Sequence, residues 1–260
     1  MSDEILITIE HGVLRMVFNR PSRKNAITDE MYRRLTEALE QAETNTAIRS
    51  VLFTGAGEAF TAGNDLTEFA ARSQRGGSGE AALGPVVHFM KALARSSLPV
   101  VAAVNGLAVG IGVTMLLHCD LVFVASEARL STPFVNLALS PELASSRLLP
   151  QRIGHARAYA MFALGEPISG ADAAEYGLAN KALAADQVLA AAEAAAQRLT
   201  RQPAASLRAT KRLMRNADQL VDLIVQENNV FVDQLVGAEA KEAFAAFSEK
   251  RPPNFAQLSS

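Results

Sequence analysis

The chain has 260 residues, 49% of them hydrophobic and 20% charged, the balance of a soluble globular protein with one large core or two small ones. Its 25 basic and 27 acidic residues are scattered and leave a formal charge of −2, which argues against a nucleic-acid partner. A lone cysteine, Cys119, excludes an internal disulfide, and the isolated histidines His11, His88, His118 and His155 have no metal-ligand spacing.

The acidic N-terminus enters a strand pattern at once, the last residues spell no peroxisomal address, and no charge-free apolar run reaches bilayer length. A cytoplasmic protein without a membrane partner is therefore expected. Ile5, Ile7 and Ile9, then Val13 and Val17 across His11-Gly12, alternate as a half-buried hairpin would. Thr28 precedes a helical pattern through Met31, Leu35, Ala38, Leu39 and Ala42, with Asp29 and Glu30 in its first turn, where the helix dipole favours acids.

Strand-like runs follow at 50–54, 100–104 and 121–125, with helix-sized segments near 83–95 and 112–118. Strands alternating with helices predict parallel pairing and an α/β core. Residues 71–84, with Arg72, Arg75 and several glycines, have no apolar period and are predicted to be a surface loop or lid. From Glu142 onward the pattern is almost wholly helical, with segments at 186–199, 203–215, 220–236 and 238–247. The last third is expected to cover the core, a neighbouring subunit, or both.

The stretch from Gly106 to Gly112 places three glycines in seven positions. It lacks the third glycine of a dinucleotide fingerprint, and the chain has no Gly-Lys-Ser/Thr phosphate loop. Small residues opening a helix instead let a ligand approach bare backbone N–H groups, as in an anion or oxyanion site. Phe60-Thr61-Ala62-Gly63-Asn64-Asp65-Leu66 has the same character, so two turns could aim one N–H each at a single oxygen. The bland alternative is a pair of tight loops at strand ends.

Phe18-Asn19-Arg20-Pro21, Asn25-Ala26-Ile27, the stretch 59–66, Pro99 to Gly106 running into Cys119-Asp120, Ile168 to Ala173, Gly177-Leu178 and Lys250 to Phe255 together resemble the enoyl-CoA hydratase/isomerase (crotonase) superfamily. The resemblance spans nearly the whole chain. It implies an α/β fold, a crotonase-like spiral of ββα repeats with a helical C-terminal region, and a homotrimer or dimer of trimers. A core domain at 1–200 would carry the CoA-ester site, and 201–260 would form the helical trimerisation or cover region. It also implies an acyl-CoA thioester substrate, no separate cofactor because CoA is part of the substrate, and an oxyanion hole built from the N–H groups of Asn64 and Ile111. Ile111, where many members have glycine, is expected to narrow the acyl entrance. Arg23, Lys24 and Lys250 fall where members approach CoA, and Ala26, Ala62, Gly63, Asp65, Leu66, Gly110 and Leu137 belong to the expected binding surface. Asp65 and Asp120 fit loop-holding roles better than chemistry, and His118 and Cys119 fit the core, because neighbours on a helix do not face each other.

The two hydratase glutamates would fall at Thr114 and Phe134, neither of which transfers protons at neutral pH. Glu142, within Ser140-Pro141-Glu142 and Ser145-Ser146, matches the single catalytic glutamate of the peroxisomal-type Δ3,Δ2-enoyl-CoA isomerases, which the chain resembles most. On the residues alone, Glu142 is a helix N-terminal acid; with the resemblance it is the expected base. A hydratase or other crotonase-fold acyl-CoA enzyme, or a non-catalytic acyl-CoA-binding protein, remains as an alternative.

Overall fold

The structure is a computed structural model and describes residues 3–75 and 79–258. The hairpin forms as expected: β1 (Ile5–Glu10) and β2 (Val13–Phe18) pair antiparallel. His11 and Gly12 both take positive φ, 50° and 80°, as a two-residue hairpin turn of matching twist requires. The alternation is shifted in β2, where Leu14, Met16 and Phe18 are the most deeply buried residues and Val17 is half-buried. The reason is the hairpin register, which sets Phe18, Met16 and Leu14 opposite Ile5, Ile7 and Ile9 and so on the same face, leaving Val13 and Val17 on the other.

Thr28 caps α1 (Asp29–Thr44), its hydroxyl accepting the Met31 N–H at 3.3 Å. Then follow β3 (Ser50–Gly55), β4 (Ala59–Thr61), α2 (Leu66–Arg75) and α3 (Val86–Arg95). The next turn contains β5 (Val100–Val104), β6 (Leu107–Val109) and α4 (Ile111–Thr114), which tightens into a 3-10 turn over Met115–His118. After it come β7 (Leu121–Ala125), β8 (Arg129–Ser131), α5 (Ser145–Ile153), α6 (His155–Tyr159), β9 (Ile168–Ser169), α7 (Gly170–Glu175), β10 (Lys181–Leu183) and α8 (Ala185–Thr200). The chain finishes with α9 (Ala204–Met214), α10 (Ala217–Leu235) and α11 (Ala238–Glu249).

Two sheets result, in the orders β1-β2-β3-β5-β7-β10 and β4-β6-β8-β9. Apart from the β1/β2 hairpin and the β8/β9 pair, all pairings are parallel. The pairs β3/β4, β5/β6 and β7/β8 each place the first strand in the large sheet and the second in the small one, so these repeats advance by one strand spacing, about 4.8 Å. That progression is the expected spiral of ββα turns. The corner between sheets is tight: a Cβ on Gly106 would lie 2.0 Å from the Glu58 carbonyl oxygen, so only glycine fits there.

The short strands β4, β6 and β8 escape a sequence reading because three residues carry no period. For the same reason β9 and β10 interrupt the region expected to be almost wholly helical, and β10 completes the large sheet beside β7. The predicted loop over 71–84 is in part helix. Residues 71–75 extend α2, Glu80–Ala82 form a 3-10 turn, and 76–78 lie outside the described residues. Phe69 anchors α2 by packing on Phe231 and Phe244, and the polar tail of the helix follows from that anchor. Among the described residues no helix is long and apolar enough to cross a membrane.

The helical region is tied to the spiral by an ion pair between a buried lysine and a partly exposed aspartate. Lys211 of α9 donates to Asp120 at 2.7 Å and to the Leu98 carbonyl at 2.6 Å, while Asp120 also accepts the Val100 N–H. Lys211→Met is expected to lower unfolding free energy by about 1–2 kcal/mol, because it strands the buried Leu98 carbonyl, while the partly exposed Asp120 is resolvated. Urea denaturation measures this, and an unchanged midpoint would refute the tie.

Candidate active site

The two predicted N–H groups meet because their loops leave paired strands. β4 runs parallel to β6, with Thr61 opposite Ala108. Beyond β4 the chain makes a parallel bridge with Ile27: the Ile27 N–H donates to the Gly63 carbonyl at 2.8 Å and the Asp65 N–H donates to the Ile27 carbonyl at 3.0 Å. Bridging through residues 63 and 65 turns the Asn64 N–H to the opposite side. Gly63 sits at φ +85°, and a Cβ there would lie 2.7 Å from the Val109 carbonyl oxygen, so this loop lies directly against the end of β6. α4 starts two residues later, with the Gly110 carbonyl accepting the Val113 and Thr114 N–H groups. Among the described residues, neither the Asn64 nor the Ile111 N–H donates to a protein acceptor.

Both residues line a cleft of about 860 Å3. Of the sequence-predicted residues, Lys24, Ala62, Gly63, Leu66, Gly110, Phe134 and Leu137 line it as well. Arg23, Ala26, Asp65, Thr114, Glu142 and Lys250 do not. Arg23 is exposed in a short 3-10 turn. The Ala26 carbonyl accepts from Arg20, and Asp65 pairs with Arg20 at 3.0 Å while accepting the Thr67 N–H. These contacts, with Asn25 donating to the Ala56 and Ala59 carbonyls, knit the loop from behind. Lys250 is the left-handed residue that ends α11, at φ 55°. The cation that lines the cleft at this end is Arg251, paired with Glu242 and Glu249.

Thr114 and Glu142 lie together in the interior. The Thr114 hydroxyl donates to Glu142 Oε1 at 2.6 Å. Thr114 is one turn of α4 from Ile111, a rise of about 4.5 Å, so one short helix carries both the Ile111 N–H and the hydroxyl that holds Glu142. Glu142 Oε2 has no partner among the described residues, and the residue is 3% exposed. Burial pushes its pKa up to about 8, opposed by the Thr114 hydrogen bond and reinforced by the charge of Glu227. Glu142 is not a first-turn acid of α5, which starts three residues later. Leu143 and Ala144 intervene, both left-handed at φ 58° and 56°, a conformation that costs energy for non-glycine residues.

Two contributors were not legible as site residues. Tyr32 of α1 donates its hydroxyl to Asn64 Oδ1 at 2.6 Å, and its pKa is raised well above the usual value by burial, with the charge of Glu142 adding. Glu227 of α10 is described below. Its only signal in the sequence is a polar pair, Glu227-Asn228, set in the apolar stripe of Leu220, Ile224 and Phe231. His118 and Cys119 are buried; burial pushes the His118 pKa down to about 3 and the Cys119 thiol up to about 12. Among the described residues no group of three His, Cys, Asp or Glu side chains could hold a metal. The arrangement offers two inward N–H donors, one carboxyl able to exchange a proton near neutral pH, and an apolar cleft between them and solvent.

Residues 8–258 match the family described as enoyl-CoA hydratase/isomerase. The chain is 42% identical over 183 residues to enoyl-CoA delta isomerase 2 of Rattus norvegicus, covering 69% of this chain and 46% of that protein, so it spans about half of that relative's length. It is 34% identical to 1,2-epoxyphenylacetyl-CoA isomerase of Escherichia coli (strain K12), across 98% of this chain and 99% of that one. Among solved structures, OdaA of Pseudomonas aeruginosa has a TM-score of 0.89 at 45% identity, covering 95% of this chain and 99% of that one.

In the unfolded chain Glu142 ionises near 4.5, and in the folded protein near 8. Between those values the folded state holds a proton that the unfolded state has lost, so stability falls as pH rises through that window. Glu142→Gln removes this dependence. Its melting temperature is expected to exceed that of the wild type at pH 9, with the gap closing toward pH 4.5. Parallel curves in calorimetry across that range would rule out a raised, buried carboxyl.

Proposed function

The chain belongs to the enoyl-CoA hydratase/isomerase family, and from that premise we propose an acyl-CoA isomerase that moves a 3-enoyl-CoA double bond to the conjugated 2-position. The observation that carries this reading is a buried carboxyl, Glu142, with one oxygen unpartnered among the described residues and a pKa pushed up to about 8, held by Thr114, which lies one helical turn from Ile111. Thr114 and Phe134, where hydratases of the family would carry glutamates, supply no second acid. Thr114 instead orients Glu142.

The thioester oxygen accepts hydrogen bonds from the Asn64 and Ile111 N–H groups. Ionised Glu142 takes a proton from C2, and the electron pair moves onto the thioester oxygen as a dienolate. Donors already aimed at that oxygen stabilise it, each contributing about 3–4 kcal/mol in comparable sites. Glu142, now protonated, returns the proton at C4, leaving the double bond between C2 and C3. A pKa near 8 suits both steps, since one group must give and take the proton near neutral pH.

Lys24 at the cleft is placed to meet the CoA portion, with CoA serving as part of the substrate and no separate cofactor. The apolar lining, including Phe69, Phe231 and Phe247, suits an acyl chain. Leu213 and Met214 at the end of α9 are 85% and 81% exposed, a pair suited to the trimer, or dimer of trimers, that we propose.

Wild-type protein mixed with a 3-enoyl-CoA is expected to raise the ultraviolet absorbance of the conjugated thioester, and Glu142→Gln to lower kcat by about 10³-fold. Because the base must be ionised, kcat/KM is expected to rise with pH and level off above about 8. A normal rate in Glu142→Gln would sink the assignment. A hydroxyacyl product would favour a hydratase, and tight binding of acyl-CoA without turnover a non-catalytic protein.

A further inference from the structure

We propose that Glu227 on α10 is a positioning residue for Glu142: it clamps the turn that carries the base and couples a second carboxyl to it. Its carboxylate is 8% exposed. Oε2 accepts the Ala144 N–H at 2.5 Å, and Oε1 accepts the Ser146 N–H at 3.0 Å and the Ser146 hydroxyl at 2.5 Å. These donors lie two and four residues beyond Glu142 and enclose the left-handed Leu143-Ala144 step.

From the opposite side His118 Nε2 meets the Leu143 carbonyl at 2.9 Å. A carbonyl only accepts, so the ring carries its proton on Nε2. Nδ1 is then the acceptor facing Arg215 at 3.4 Å. The turn is thus held by a carboxylate on one flank and an imidazole on the other, while Thr114 fixes the Glu142 side chain itself.

Burying a carboxylate in the apolar stripe of α10 is costly for packing alone, and none of these three bonds is to a cation. What the position supplies is an acceptor pair for amides that open α5, whose first N–H groups have no intrahelical partners. Burial raises the Glu227 pKa above the usual carboxylate value, opposed by its bonds from the Ser146 hydroxyl and the Ser146 and Ala144 amides and by the Arg147 charge. An ionised Glu227 makes proton loss from Glu142 harder, as like charges at close range do. The other groups around this pair are Tyr32 on α1, which feels the Glu142 charge, Glu68 on α2, which acts on Tyr32, and Arg147 on α5, which acts on Glu227. His118 remains neutral.

The inference rests on Glu142 being the base, and two readouts separate the claims. The first is the pH profile of kcat/KM with a 3-enoyl-CoA for wild type, Glu227→Gln and Glu227→Asp. The second needs no substrate: titration of the Glu142 carboxyl by NMR in protein carrying 13C-labelled glutamate, with Glu142→Gln assigning the resonance. In Glu227→Gln, kcat is expected to fall about tenfold through misplacement of the base, and the midpoint of both curves to move to lower pH. Glu227→Asp, which keeps the charge but loses reach, is expected to lower kcat with a midpoint near that of wild type.

An unmoved midpoint in Glu227→Gln reads as a helix cap alone and overturns the proposal. Should that variant fail to fold, the wild-type titration decides, since coupled carboxyls share two macroscopic steps. Independent single steps for Glu142 and Glu227 would overturn the proposal. Normal turnover in Glu142→Gln would defeat the reading of Glu142 as base while leaving the coupling measurable by NMR.

Discussion

The parallel pairing of β4 with β6, two strands of three residues each, is the constraint on which the site depends. It sets the loops at 62–64 and 110–111 side by side. Neither loop alone makes an oxyanion site, because a single N–H is an ordinary donor. Two such groups, each left without an internal partner by its own local geometry, converge only because the spiral advances one strand per turn. The bridge at Ile27 turns Asn64, and the start of α4 frees Ile111.

Electrostatics then determine what chemistry the convergence can support. Glu142 is kept from water and feels the charge of a second carboxylate, its carboxyl bonded among the described residues to one hydroxyl. Each condition disfavours the ionised form or leaves it incompletely satisfied, and together they place its ionisation where a proton can be taken and returned. The folded protein bears that burden through rigid neighbours: Thr114 belongs to the helix that presents Ile111, and Tyr32 bonds the side chain of Asn64. Asn64, Ile111 and Glu142 are therefore connected through shared neighbours, Tyr32 and Thr114.

The helical last third does more than cover the core. Lys211 and Arg215, at the end of α9 and just beyond it, reach the Leu98, Ala94 and His118 carbonyls. α10 delivers Glu227 to the turn beyond Glu142, and Phe231, one turn further, to the cleft wall. Residues more than eighty positions from Glu142 in the chain thereby set its surroundings.

Much of this was legible from residue order. The hairpin, the Thr28 cap, α1, the strands β3, β5 and β7 and the long C-terminal helices follow from periodicity and capping chemistry, which are local. Asn64, Ile111 and Glu142 were legible through ordered motifs. Hidden from the sequence were β4, β6, β8, β9 and β10, too short to show a period, and the helical continuation of α2 into a polar stretch, fixed by Phe69 against Phe231 and Phe244. Hidden too were the left-handed step after Glu142 and the roles of Tyr32 and Glu227. The sequence by itself determined which residues could donate, accept or carry a proton and which of the longer periodic segments would be helix or strand, since those properties belong to side chains and their near neighbours. Only the tertiary structure decided which of them meet and how strongly Glu142 holds its proton, because burial and Coulomb interaction depend on distances between residues that the chain itself keeps far apart.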